Sequence, residues 1–190
     1  MTLPGPLDRL IRDRAAADGL QIAYRPSPNF DERRLKRFPD VLVIHYTALP
    51  LEESLSHLTR TSPGVSTHFV IGRGGELFQL VSADHRAWHA GKSLFGGLDD
   101  VNSRSIGIDL VFVPDQEDGY TPRQLEILLS LCRVLLRTLP IRGDGIVGHE
   151  HVAIPHGRKS DPGRWLDWSW LYESLGLGTA PEFLTNPVRL

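Results

Sequence analysis

Apolar positions along the chain follow two rhythms. The run DVLVIHYTA, from Asp40, is almost unbroken in branched residues, the pattern of a strand buried on both faces. Alternation puts Val41, Val43 and His45 on one face and Leu42, Ile44 and Tyr46 on the other. SRSIGIDLVFV repeats the pattern, with Ile106, Ile108 and Leu110 facing one way and Gly107, Asp109 and Val111 the other. THFVIGRGGELFQLV reads as a hairpin turning at Gly72, Gly74 and Gly75, where glycine makes positive φ cheap. IVGHE is a further short strand.

Helical spacing marks the rest. Leu51, Leu55 and Leu58 recur in LEESLSHLT, and Leu7, Leu10 and Ile11 form one stripe of a short surface helix. In YTPRQLEILLSLCRVLLRTLP the positions Leu125, Leu128, Leu129, Cys132, Leu136 and Leu139 keep one face. Thr121 is its N-cap, Pro122 its first residue, and Gln124 closes a capping box. The order of strand, helix, hairpin, strand, long helix and short strand predicts an α/β fold: one domain with a central mixed sheet flanked by helices. Residues 1–24 read as an N-terminal helical extension, 25–172 as the domain itself, and 173–190 as an irregular tail.

A chain of 190 residues with 41% hydrophobic content can bury one ordinary core. A formal charge of −2 leaves no electrostatic footprint for nucleic acid. No apolar run is long enough for a membrane span, and with Cys132 as the only cysteine there is no internal disulfide. The N-terminus lacks the apolar core of an export signal. A cytoplasmic monomer is the expectation, or a periplasmic one where a signal has been removed.

Three polar features interrupt these apolar patterns. His45 ends one strand, Asp109 lies inside another, and GHEHVAIPHGRKSDPG (148–163) follows a third. A buried imidazole or carboxylate is costly unless hydrogen-bonded, paired or metal-bound. Zinc takes such ligands, but HEHVA is not the HExxH helix motif, because its fifth residue is Ala153 and the nearby prolines and glycines argue against a helix. A ligand set drawn from separate strands is required.

VLVIHYTA, VSTHFVI, AWHAG, SIGID and GH…GRKSDPG, in this order between about Arg25 and Trp168, resemble the zinc-dependent N-acetylmuramoyl-L-alanine amidases of the AmpD and AmiD type. Those enzymes share their fold with phage T7 lysozyme and peptidoglycan recognition proteins. The resemblance implies Zn2+ held by His45, His149 and Asp161, with Asp109 as general base and Lys159 as the cation that stabilises an oxyanion. It implies cleavage of the amide between the lactyl group of N-acetylmuramic acid and L-alanine in peptidoglycan or its muropeptide fragments. A chain that binds muropeptides without cutting them is the alternative.

The same resemblance puts Trp88, His89, Asn102 and Arg158 at the substrate groove, and His68 behind the ligands as a hydrogen-bonding partner. Two departures stand out. Asp109 replaces the usual Glu, and the stretch from His149 to Asp161 is two residues longer than GHxDIAPGRKxDPG. His151 therefore competes with His149, since it stands at the usual spacing from Asp161. His149 is preferred because it follows the strand end directly.

Overall fold

The computed structural model describes residues 5–34, 38–62 and 64–185. Helix α1 (Pro6–Ala17) precedes strands β1 (Ala23–Tyr24), β2 (Phe30–Glu32) and β3 (Val41–Tyr46). Helix α2 (Leu51–Thr59) leads to β4 (Phe69–Ile71), β5 (Leu77–Gln79), β6 (His85–Ala87), β7 (Leu94–Phe95), β8 (Leu98–Asp99) and β9 (Ser105–Leu110). Then come α3 (Pro122–Thr138), β10 (Ile146–Gly148) and three short helices, α4 (His149–Val152), α5 (Trp168–Ser174) and α6 (Glu182–Thr185).

Six strands make the central sheet, in the order β1-β5-β4-β9-β3-β10. The β4–β5 hairpin is antiparallel and every other pair is parallel, so the sheet is mixed as its pattern predicts. The two apolar runs lie side by side as β3 and β9, where every residue of both strands but Tyr46 is buried. Neighbouring branched side chains fill both faces there, interrupted by the polar residues His45, Ser105 and Asp109.

Helix α3 starts as its sequence requires: Thr121 accepts the Gln124 N–H at 3.1 Å and Gln124 accepts the Thr121 N–H at 3.1 Å. The Gln124 amide also donates to the Val111 carbonyl at 2.8 Å, tying the helix to the end of β9. Its buried stripe is rotated from the expected one. Leu128 and Cys132 are central, but Ile127, Leu131, Val134 and Leu135 complete the face, while Leu125, Leu129 and Leu136 are only partly buried. A leucine-rich helix offers two overlapping stripes, and contact with the sheet and with α1 selects between them.

Helix α1 is similarly shifted. Ile11 and Ala15 enter the main core with α3, whereas Leu10 is 41% exposed. The stretch read as an irregular tail carries α6, with Leu184 buried, and residues 186–190 lie outside the described residues. On the sheet face carrying Val70 and Val111, Leu55 and Leu58 of α2 form a second, smaller cluster. Among the described residues no helix is long and apolar enough to cross a membrane.

Candidate metal centre and its cavity

Strand register builds the first half of the site. His45 of β3 lies opposite Asp109 of β9, so two polar side chains leave one sheet face on strands about 4.8 Å apart. They share that face with Gly107 and Val43.

The chain after β10 supplies the second half. Gly148 caps α4, and its single turn places His149 and His151 about 200° apart around the axis. His149 turns to His45, with ring centroids 4.6 Å apart. His151 turns away: it accepts the Gly148 N–H at 3.0 Å and meets Trp168 edge-on. The expectation of no helix here is corrected, because both prolines fall after the turn and its glycine stands at the cap, where it does no harm.

His45 Nδ1 and His149 Nδ1 lie 3.1 Å apart, and Asp161 Oδ2 is 2.9 Å from the first and 3.0 Å from the second. All three residues are buried. His149 Nε2 is 3.1 Å from the Ala90 carbonyl, which can only accept, so the ring hydrogen sits there and the Nδ1 lone pair faces the carboxylate. Lone pairs converging in a buried space call for a cation between them. Two imidazoles and a carboxylate could hold a metal ion, and the donor set fits one.

Charges in the site are displaced in opposite directions. Burial lowers His45 to about 4, against the pull of Asp161. Burial also opposes ionisation of Asp161, but its two histidine partners outweigh this and hold its carboxyl well below the usual range. Asp109 lacks such partners: burial first, and the Asp161 charge second, push it up to about 7.

One cavity of ≈ 430 Å³ is lined by His45, Asp109, His149, Lys159 and Asp161, with Trp88, His89 and Arg158 on its walls. Tyr46, His57 and Val65 also line it and carry no sequence signal beyond, for Tyr46, adjacency to His45. The Tyr46 hydroxyl is 2.8 Å from Ser160 Oγ. The Trp88 Nε1 hydrogen is buried without a partner among the described residues.

Two expected substrate contacts are otherwise engaged. Asn102 is buried away from the cavity, where its Oδ1 accepts the N–H groups of His89 (3.1 Å) and Ala90 (2.7 Å). Arg158 reaches the cavity, but its guanidinium donates to the carbonyls of Ile154, Ala90 and Lys92 at 2.9–3.1 Å. His68 accepts the Gly107 N–H at Nδ1 (3.0 Å), and its Nε2 lies 3.1 Å from the His85 carbonyl and 3.0 Å from Arg33 Nη2. It touches the His89 ring edge-on, centroids 5.7 Å apart, and hydrogen-bonds none of His45, His149 and Asp161.

Residues 35–164 match a family model described as N-acetylmuramoyl-L-alanine amidase. The 1,6-anhydro-N-acetylmuramyl-L-alanine amidase AmpD of Salmonella typhimurium is 34% identical over 166 residues, which cover 75% of this chain and 84% of that one. An AmpD crystal structure superposes with a TM-score of 0.71 at 31% identity, covering 81% of this chain and 93% of the other. AmiD from E. coli, in complex with the substrate anhydro-N-acetylmuramic acid-L-Ala-D-γ-Glu-L-Lys, superposes with a TM-score of 0.66 at 30% identity, covering 78% of this chain and 62% of the other. Family match and fold agree over most of the described sheet, and the chain belongs to the N-acetylmuramoyl-L-alanine amidase family, an enzyme class.

Proposed function

We propose that this enzyme is zinc-dependent and hydrolyses the amide between the lactyl group of N-acetylmuramic acid and L-alanine in 1,6-anhydro-muropeptides. The observation that carries the reading is the convergence of His45 Nδ1, His149 Nδ1 and Asp161 Oδ2 at the floor of the cavity that Asp109 and Lys159 also line. The fragment class is supported by the names and bound substrate of the relatives.

When bound by His45, His149 and Asp161, zinc supplies Lewis acidity that makes water a nucleophile near neutral pH. Asp109, which lines the same cavity, takes the proton of the attacking water and returns it to the departing L-alanine amine. Lys159 places a cation beside the carbonyl oxygen as negative charge develops there.

The test is digestion of purified anhydro-muropeptides and, in parallel, of intact sacculi, followed by mass spectrometry before chelation, after chelation and after zinc return. The expected outcome is release of free stem peptide from the fragments, lost with chelator and restored by zinc. Saturable binding with no stem peptide released at full zinc occupancy would sink the hydrolase reading.

A further inference from the structure

Behind the metal-facing atoms, the segment His89–Ala90 contacts the far nitrogen of both histidines. His89 Nδ1 is 3.0 Å from His45 Nε2, and the Ala90 carbonyl is 3.1 Å from His149 Nε2. His89 Nε2 in turn is 3.0 Å from Ser105 Oγ, which donates to the Val101 carbonyl at 2.7 Å.

The direction of this chain follows from its last link. A backbone carbonyl only accepts, so the Ser105 hydrogen points at Val101 and its oxygen is left to accept from His89 Nε2–H. His89 Nδ1 then carries no hydrogen and accepts from His45 Nε2–H. His45 is left with a bare Nδ1 on the side of Asp161 and His149. The packing is equally specific: a Cβ at Gly107 would stand 2.7 Å from His89 Cγ and 2.8 Å from Thr67 Oγ1, so glycine at that point of β9 leaves room for the ring. Asn102 fixes the backbone of both residues.

We infer that His89 is a positioning residue, not a substrate contact: with Ser105 behind it, it fixes the His45 tautomer that presents Nδ1 to a metal, as Ala90 does for His149. A hydrogen-bonded partner at the outer nitrogen orients a ligand imidazole and raises its affinity for metal, typically by roughly 10–100-fold. The inference rests on the zinc reading above.

The test measures zinc affinity without substrate, by competition with a chromophoric chelator, in wild type, His89→Leu, His89→Asn and Ser105→Ala. His89→Leu should bind zinc roughly 10–100-fold more weakly. His89→Asn, whose Oδ1 can accept near the Nδ1 position, should stay within about threefold. Ser105→Ala, the gentler change, should weaken binding about threefold to tenfold, and it decides the matter if His89→Leu does not fold. Unchanged zinc affinity in His89→Leu, or in Ser105→Ala where that variant alone folds, overturns the positioning role, as does equal weakening by Leu and Asn. Wild type that takes up no zinc instead overturns the metal reading beneath it, whatever the variants do.

Discussion

The two halves of the site are built on different principles. His45 and Asp109 stand on adjacent strands in fixed register, where the ladder sets their separation and neither can move without breaking the sheet. His149 comes from the single turn of α4, and Lys159 and Asp161 from the loop after it, so this half's geometry must be assembled from separate contacts. Among them are the Glu150 N–H on the Asp161 carbonyl (2.9 Å), the Ile154 N–H on the Lys92 carbonyl (3.0 Å) and the Tyr120 hydroxyl on the Pro162 carbonyl (2.8 Å). Tolerance follows from this difference. A loop absorbs added length between α4 and Asp161 by bulging outward, whereas one extra residue in β3 would turn His45 to the opposite face.

Removing a proposed metal ligand from either half tests whether they act as one site. His45→Ala and Asp161→Ala should each abolish zinc retention, measured by elemental analysis. Each should lower kcat/KM by roughly a thousandfold or more, since several kcal/mol of charge stabilisation goes with the ion. If Asp161→Ala keeps stoichiometric zinc, Asp161 is not a ligand.

Smaller losses separate the other two groups. Asp109→Asn should cost roughly 10²–10⁴-fold in kcat as the proton acceptor is lost, and Lys159→Met roughly 10²–10³-fold as a charge beside the oxyanion is lost. Asp109→Glu points its longer arm into the cavity and should stay within about tenfold of wild type, because carboxylate chemistry is kept while placement shifts by about an ångström. A Glu variant as weak as Asn would mean that the cavity is fitted around the shorter side chain.

The same carboxylate leaves a mark on stability in metal-free protein. Asp109 rises from 3.8 to about 7 on folding, so the native state binds an extra proton in that window and gains stability as pH falls through it. His45 drops from 6.5 to about 4, so the native state binds fewer protons there and loses stability as pH falls. Asp109→Asn removes the first contribution alone. From pH 6.5 down to 4, urea unfolding of the chelated variant should therefore lose stability relative to wild type, by at most about 3–4 kcal/mol at about 1.4 kcal/mol per unit. Parallel curves would show that burial does not perturb Asp109.

Legibility in the sequence divided along the same line. β3 and β9 were readable because continuous branched residues have few structural alternatives, and His45 and Asp109 stood out as polar breaks in those runs. The capping box of α3 was readable because it is local. What single-residue patterns do not encode is which of two stripes on a leucine-rich helix meets the sheet. They also hide that Asn102 bonds to backbone thirteen and twelve residues earlier, or that Gly107 exists to admit the His89 ring. Each depends on a partner brought in from another element. Resemblance to a family named the loop residues, and the single turn of α4 explains why His149 faces the site and His151 does not.

The smallest expected effect concerns Arg158, where sequence and geometry point to different roles. As a substrate contact, its guanidinium would grip a carboxylate; in the structure it instead donates to three carbonyls, those of Ile154, Ala90 and Lys92. These bonds link the loop beside Lys159 to the segment carrying His89 and Ala90. Arg158→Lys preserves the charge but not the planar fork that reaches three acceptors at once. Partly exposed bonds of this kind contribute little individually, so the loss should be about 1 kcal/mol in urea unfolding, with a fall of roughly threefold to tenfold in kcat as the loop loosens around Lys159. A substrate-binding role predicts the reverse division: unchanged stability, unchanged kcat and a raised KM, because a group that grips ground state and transition state alike affects binding only. Measuring unfolding and both kinetic constants on one variant thus shows whether the loop half of the site depends on this clamp to hold its geometry, as the sheet half depends on its ladder.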